Sequence, residues 1–182
     1  MGGLLAQQLA VRVQPLALVL LAPAAPYGIT SISLTNTGAF LHYIRNGASW
    51  RNGYKLDFVR AQRFVFRGVP SYRHRSLYEG LVHESGRALF EIALWPLDFS
   101  RAAVVDAKRI GCPVYIVSGG KDRLIPASLV RKVARLYPQA IQRDYPTRGH
   151  WVIDDEDTDE MVRSICGWLQ PIQQKQEHGR HS

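Results

Sequence analysis

The sequence predicts an α/β fold: parallel strands flanked by helices, with a helical insertion between the first strand and the rest. Three observations carry this. After Ile110 the chain runs strand, loop, helix, strand, loop, helix, the alternation that parallel sheets produce. Two apolar runs, LALVLL (16–21) and the strand within CPVYIVSG (112–119), are continuous rather than alternating, as in strands covered on both faces. Between them, residues 27–100 mix aromatic and basic side chains at helical spacing, with no strand alternation.

The elements follow in order. Residues 2–12 are small and apolar and read as a short helix. The strand 16–21 ends at Pro23 and Pro26, since proline cannot donate to a ladder. In the insertion, helical periodicity falls over 39–46, 56–65, 75–83 and 86–94. GGKDRLIP (119–126) is a loop of turn residues. ASLVRKVARLYP (127–138) is a helix with Leu129, Val130, Val133 and Leu136 on one face and Pro138 as its stop. IQRDYP (141–146) is a short strand and TRGHW (147–151) a loop. The last helix spans 157–169, with Asp157 or Thr158 as its N-cap, and the polar end beyond it frays.

At 182 residues and 46% hydrophobic composition, the chain suits one globular domain. No apolar run is long enough to span a bilayer. The formal charge of +8 permits anionic partners but says nothing of fold. The two cysteines, Cys112 and Cys166, fit no zinc motif or disulfide framework and read as reduced thiols. The six histidines (His42, His74, His83, His150, His178, His181) have no ligand spacing, and SGGKD is not a phosphate loop. Neither a metal nor a cofactor is expected. The start, residues 1–25, has the outline of a secretory signal peptide, with Arg12, an apolar run and Ala-Pro-Ala-Ala. The single late charge and Gln7, Gln8 and Gln14 argue against it, so a cytoplasmic protein is expected and a secreted one is the alternative.

In parallel sheets, functional groups lie in loops at the carboxyl ends of strands. Two loops hold that position, one with Asp122 and the other with His150. An imidazole acts as a general base when a carboxylate fixes its tautomer and supports its cation. Each residue alone is ordinary: an Asp after Gly-Lys is a turn former. Equivalent loops on strands separated by one helix bring the two together.

At these residues the chain resembles the α/β-hydrolase family. CPVYIVSGGKDRLIP is similar to the family's acid strand and loop, and YPTRGHWVIDDE to its histidine loop. FSRAAVVDAKRIGCPV (99–114) resembles the lead from a helical cap into the acid strand. The opening Met1-Gly2-Gly3 is similar to the residues that follow the nucleophilic serine in that family's strained elbow.

The resemblance implies the C-terminal part of an α/β-hydrolase fold. Its core would be 1–26 and 101–170, its helical cap 27–100, and its flexible tail 171–182. It implies hydrolysis of an ester-type bond with Asp122 and His150 as catalytic residues. Met1 would supply a backbone oxyanion donor if the chain were extended, and Trp151 would border the pocket. The serine itself is absent. Ser118 and the insertion serines (Ser31, Ser33, Ser49, Ser71, Ser76, Ser85, Ser100) have no matching context, and none is expected to replace it.

By itself the chain is therefore expected to be inactive. The expected partners are a small-molecule ester or acyl substrate and a missing N-terminal half, not nucleic acid. The unpaired apolar edge of strand 16–21 predicts poor solubility or partial unfolding of the chain alone. Competing readings are a binding protein on the same fold that has lost its nucleophile, and a basic nucleic-acid binder.

Overall fold

A computed structural model of the chain describes residues 1–30, 53–153 and 158–180. Helix α1, Gly2–Val13, ends at Gln14 in the left-handed conformation (φ 48) and leads into strand β1, Leu18–Leu21. Within the insertion come β2 (Gly53–Tyr54), α2 (Phe58–Phe64), α3 (His74–Glu79), β3 (Glu84–Ser85) and α4 (Gly86–Ala93). The second half supplies β4 (Val114–Gly119), α5 (Ala127–Ala134), β5 (Ile141–Tyr145) and α6 (Thr158–Arg180).

The main sheet has the order β1-β4-β5, all parallel, with Leu18 opposite Val114 and Gly119 opposite Tyr145. β4 is central and every residue in it is buried. One sheet face carries α1 and α5: Leu18, Leu20, Val114 and Ile116 pack with Ala10, Leu129, Val130 and Val133. The other face carries α6, where Tyr115 and Val117 pack with Met161. This two-sided burial is why β4 reads as a continuous apolar run.

β1 departs from the expectation of burial on both faces. Leu18 and Leu20 are buried, whereas Val19 and Leu21 are half-buried. The reason is position: among the described residues β1 bonds only to β4, so its outer edge has no strand beside it.

Residues 1–25 are built into the core. Leu4, Ala10, Leu18, Leu20, Ala22, Ala24 and Ala25 are buried. The three glutamines that spoil a leader peptide are all tied down. Tyr137 Oη donates to buried Gln7 Oε1 at 2.7 Å, Gln8 Nε2 donates to the Ala102 carbonyl and Gln14 Nε2 to the Arg109 carbonyl.

In the insertion, α2, α3 and α4 fall where periodicity predicts helices. The expected helix 39–46 lies outside the described residues. Asp57 caps α2 by accepting from the Arg60 N–H, and Ser85 caps α4 by accepting from Ala88 N–H. The antiparallel pair β2–β3 is not visible in sequence, because two residues are too few to show alternation. The insertion's small core (Ala61, Val65, Phe66 and Val69) reaches Leu124 and Trp151 of the second half.

Three helix ends differ from expectation. α3 stops at Glu79, with Gly80 as its C-cap, short of the expected 83. α5 stops at Ala134, with a tight turn from Tyr137 N–H to the Ala134 carbonyl before Pro138. α6 continues to Arg180 through Pro171, where a stop at 169 and a flexible tail at 171–182 are expected. Good helix formers (Gln173, Gln174, Lys175, Gln176) carry the helix onward, and Ile172 and Lys175 line one surface groove with Leu16 and Pro113. No helix among the described residues is long and apolar enough to cross a membrane.

Candidate active site

The two loops at the carboxyl ends of β4 and β5 are fused by backbone hydrogen bonds that continue the ladder. Gly120 N–H donates to the Tyr145 carbonyl at 2.9 Å and Lys121 N–H to the Arg148 carbonyl at 2.8 Å. Three glycines of these loops leave no room for a side chain, Gly120 among them, whose Cβ would strike the Pro146 backbone. A Cβ on Gly119 would strike the Gly149 carbonyl, and a Cβ on Gly149 would strike the Arg67 carbonyl. The glycine before the histidine thus answers a backbone crossing from the insertion.

Asp122 is held by its own turn. Oδ1 accepts from the N–H groups of Leu124 and Ile125, both at 2.8 Å. That leaves Oδ2 for His150 Nδ1, at 2.9 Å. The carboxylate has no solvent exposure, while the imidazole is 25% exposed. With a carboxylate on its Nδ1, the neutral ring carries its proton there, and Nε2 has the lone pair of a base. The pair is therefore a dry acid orienting a partly open imidazole.

The histidine loop is braced on the other side by the insertion. Trp151 N–H donates to the Val65 carbonyl at 3.3 Å, and its indole meets Phe66 edge-on at 5.8 Å between centroids. Trp151 thus joins the insertion to the loop, beside the imidazole. Met1 stands as the N-cap residue of α1; its carbonyl accepts from Leu4 N–H at 2.8 Å, and no side chain caps the first turn.

Ser118 is fully buried, on the β4 face that packs on α5, and its hydroxyl donates to the Asp144 carboxylate. Ser76 donates to the Arg73 carbonyl, Ser85 caps α4, and Ser100 donates to Asp98. Ser31, Ser33 and Ser49 lie outside the described residues. None of the hydrogen bonds of these described serines reaches His150.

Among the described residues no three His, Cys, Asp or Glu side chains gather as a metal site. Cys112 and Cys166 are free thiols. The residue that sequence reasoning missed is Arg148. It sits in TRGHW as an ordinary loop cation, yet it is only 2% exposed. Nothing in the sequence signals that burial.

A model of the alpha/beta hydrolase family matches residues 1–164. No curated protein matches the sequence. Among solved structures, the chain is similar to a candidate lipase from Acinetobacter baumannii, at 17% identity and TM-score 0.66, covering 95% of this chain and 59% of that one. It is similar to a thermophilic esterase from Thermogutta terrifontis, at 16% identity and TM-score 0.61, covering 94% and 62%. It also matches a Paleococcus ferrophilus monoacylglycerol lipase, at 21% identity and TM-score 0.58, covering 93% and 65%. The chain thus spans about three fifths of the length of these proteins, and at such identities the likeness is one of fold.

Proposed function

Since the chain belongs to the alpha/beta hydrolase family, we propose that it is the acid- and histidine-bearing part of a serine hydrolase acting on carboxylic esters. The observation that carries this is the hydrogen bond from His150 Nδ1 to buried Asp122, at the carboxyl ends of two neighbouring parallel strands. The nucleophilic serine belongs to an N-terminal segment outside these 182 residues, and the chain by itself is inactive.

In the assembled enzyme that serine attacks the ester carbonyl while His150 Nε2 takes its proton. The same nitrogen returns the proton to the leaving alcohol, and Asp122 stabilises the imidazolium between the two events. Water then releases the acyl group by the reverse path. In the extended polypeptide the backbone N–H of Met1 is the oxyanion donor, a reading supported by its place at the N-terminal end of α1. Residues 1–26 and 101–170 form the catalytic core, and 27–100 form a cap over a pocket that Trp151 borders. The substrate is a small-molecule ester or acyl compound, and the protein is cytoplasmic.

The test is the intact mass of the protein from its own cell, with its N-terminal peptide sequenced. A mass well above 20.5 kDa, with a Gly-x-Ser sequence joined to Met-Gly-Gly, supports the reading. A 20.5 kDa protein that hydrolyses no p-nitrophenyl ester, alone or with its co-purifying partners, overturns it.

A further inference from the structure

Arg148 is a buried cation that the triad does not use. Its guanidinium is almost fully enclosed and lies over the Tyr145 ring, 5.5 Å from the centroid. Nη1 donates to the Val152 carbonyl at 2.5 Å. Nε and Nη2 have no hydrogen-bond partner among the described residues. The backbone of the same residue is tied on both sides: its N–H donates to the Tyr145 carbonyl at 3.2 Å, and its carbonyl accepts from Lys121 N–H in the acid loop.

The side chain thus reaches from position 148 to the carbonyl at 152 and closes a ring around His150. Upstream of the imidazole, the loop is fastened to the acid loop through Arg148's backbone. Downstream it is fastened back through Arg148's side chain. A buried guanidinium with two open donors carries a desolvation cost, and its one hydrogen bond to the Val152 carbonyl offsets that cost only in part. Fold stability alone is therefore a poor reason for an arginine here. Holding the Val152 carbonyl, and with it the path of 149–151, is a better one.

We propose that Arg148 is a positioning residue, a clasp across the loop that keeps His150 directed at Asp122. This rests on the Asp122–His150 reading above. The clasp acts on geometry and not on charge transfer: it limits the swing of the loop, so that Nδ1 stays within hydrogen-bond reach of Oδ2. Displacement of a catalytic group by an ångström costs up to about 100-fold in rate.

The experiment compares wild type, Arg148→Met, Arg148→Lys and Asp122→Asn in the full natural polypeptide. It reads p-nitrophenyl butyrate hydrolysis, thermal unfolding and the Nδ1–H proton signal of 15N-labelled histidine. In Arg148→Met, kcat should fall roughly 10- to 100-fold, with KM within about twofold of wild type. Its Tm should fall by no more than several degrees, the cost of one unpaired carbonyl, with the protein folded at the assay temperature, and the His150 Nδ1–H signal should broaden or vanish. Arg148→Lys keeps one donor for the Val152 carbonyl and should recover part of both.

Wild-type kcat with a sharp Nδ1–H signal in Arg148→Met overturns the clasp. So does a methionine variant that fails to fold, or that loses activity only in step with Tm, because Arg148 is then structural. Asp122→Asn separates the two ideas. If it abolishes the signal and activity while Arg148→Met does not, only the clasp falls. If it changes neither, the site reading falls and the clasp with it.

Discussion

At the scale of single residues, Asp122 and His150 divide one task between burial and exposure. The carboxylate is dry and held by two backbone N–H groups, so it cannot turn away. The imidazole keeps a quarter of its surface open. In the complete enzyme, His150→Ala should abolish ester hydrolysis. Asp122→Asn should lower kcat by roughly 10⁴-fold, because the amide favours the wrong tautomer. Steady-state assays on a p-nitrophenyl ester check both, and near-wild-type rates in either variant would remove that residue from the mechanism. Trp151 carries less: its indole lies on Phe66, so its replacement loosens the contact with the insertion before it alters chemistry.

At the scale of elements, the turn that follows the insertion is organised by one carboxylate. Asp98 accepts from Ser100 Oγ, Ser100 N–H and Ala102 N–H, and these bonds hold its pKa below the ordinary carboxylate range, the Ser100 hydroxyl contributing most. A carboxyl whose folded pKa is depressed stabilises the fold above its unfolded value, near 4. That contribution is lost as pH falls through the folded value. The Tm of wild type should therefore exceed that of Asp98→Asn at neutral pH, and the gap should close as pH drops below about 4. Melting curves of both proteins across pH 2–7 check this; a gap that persists to the lowest pH would mean the turn does not depend on ionised Asp98.

α1 is the element with the least settled surroundings. Its inner face is buried, yet Leu5, Leu9 and Val13 repeat every fourth residue on the outer face and are 62%, 55% and 59% exposed. These three form an apolar stripe open to solvent, interrupted on that side by Gln8 and Arg12.

At the scale of the molecule, that outer stripe comes together with an edge strand: among the described residues β1 is the end of a three-stranded sheet. An apolar edge with free N–H and C=O groups pairs with whatever strand it meets. The 182-residue chain expressed by itself should therefore associate or precipitate. Light scattering after size exclusion, together with thermal melting, is the check. A soluble monomer with one cooperative transition would show that neither surface needs a partner.

Legibility in the sequence follows from how local each signal is. The α/β class, strands β4 and β5, helix α5 and the loop places of Asp122 and His150 were readable: β4 because burial on two sides leaves a continuous apolar run, and the mostly exposed β5 because turn residues and proline bracket it. The resemblance to a hydrolase family rested on motifs in those same loops, and the match over residues 1–164 bears it out. Tertiary structure alone decided the rest. Val19 and Leu21 are half-open because β1 is an edge, which is a matter of strand order. Ser118 is spent on Asp144 because the two sit opposite each other in β4 and β5. α6 runs through Pro171 because neighbouring helix formers and a shared groove outweigh one lost hydrogen bond. Arg148 is buried and not a surface cation because its side chain turns back over Tyr145 to the Val152 carbonyl. In each case the deciding partner is distant in sequence or set by the path of the backbone, and composition and periodicity carry no trace of such contacts.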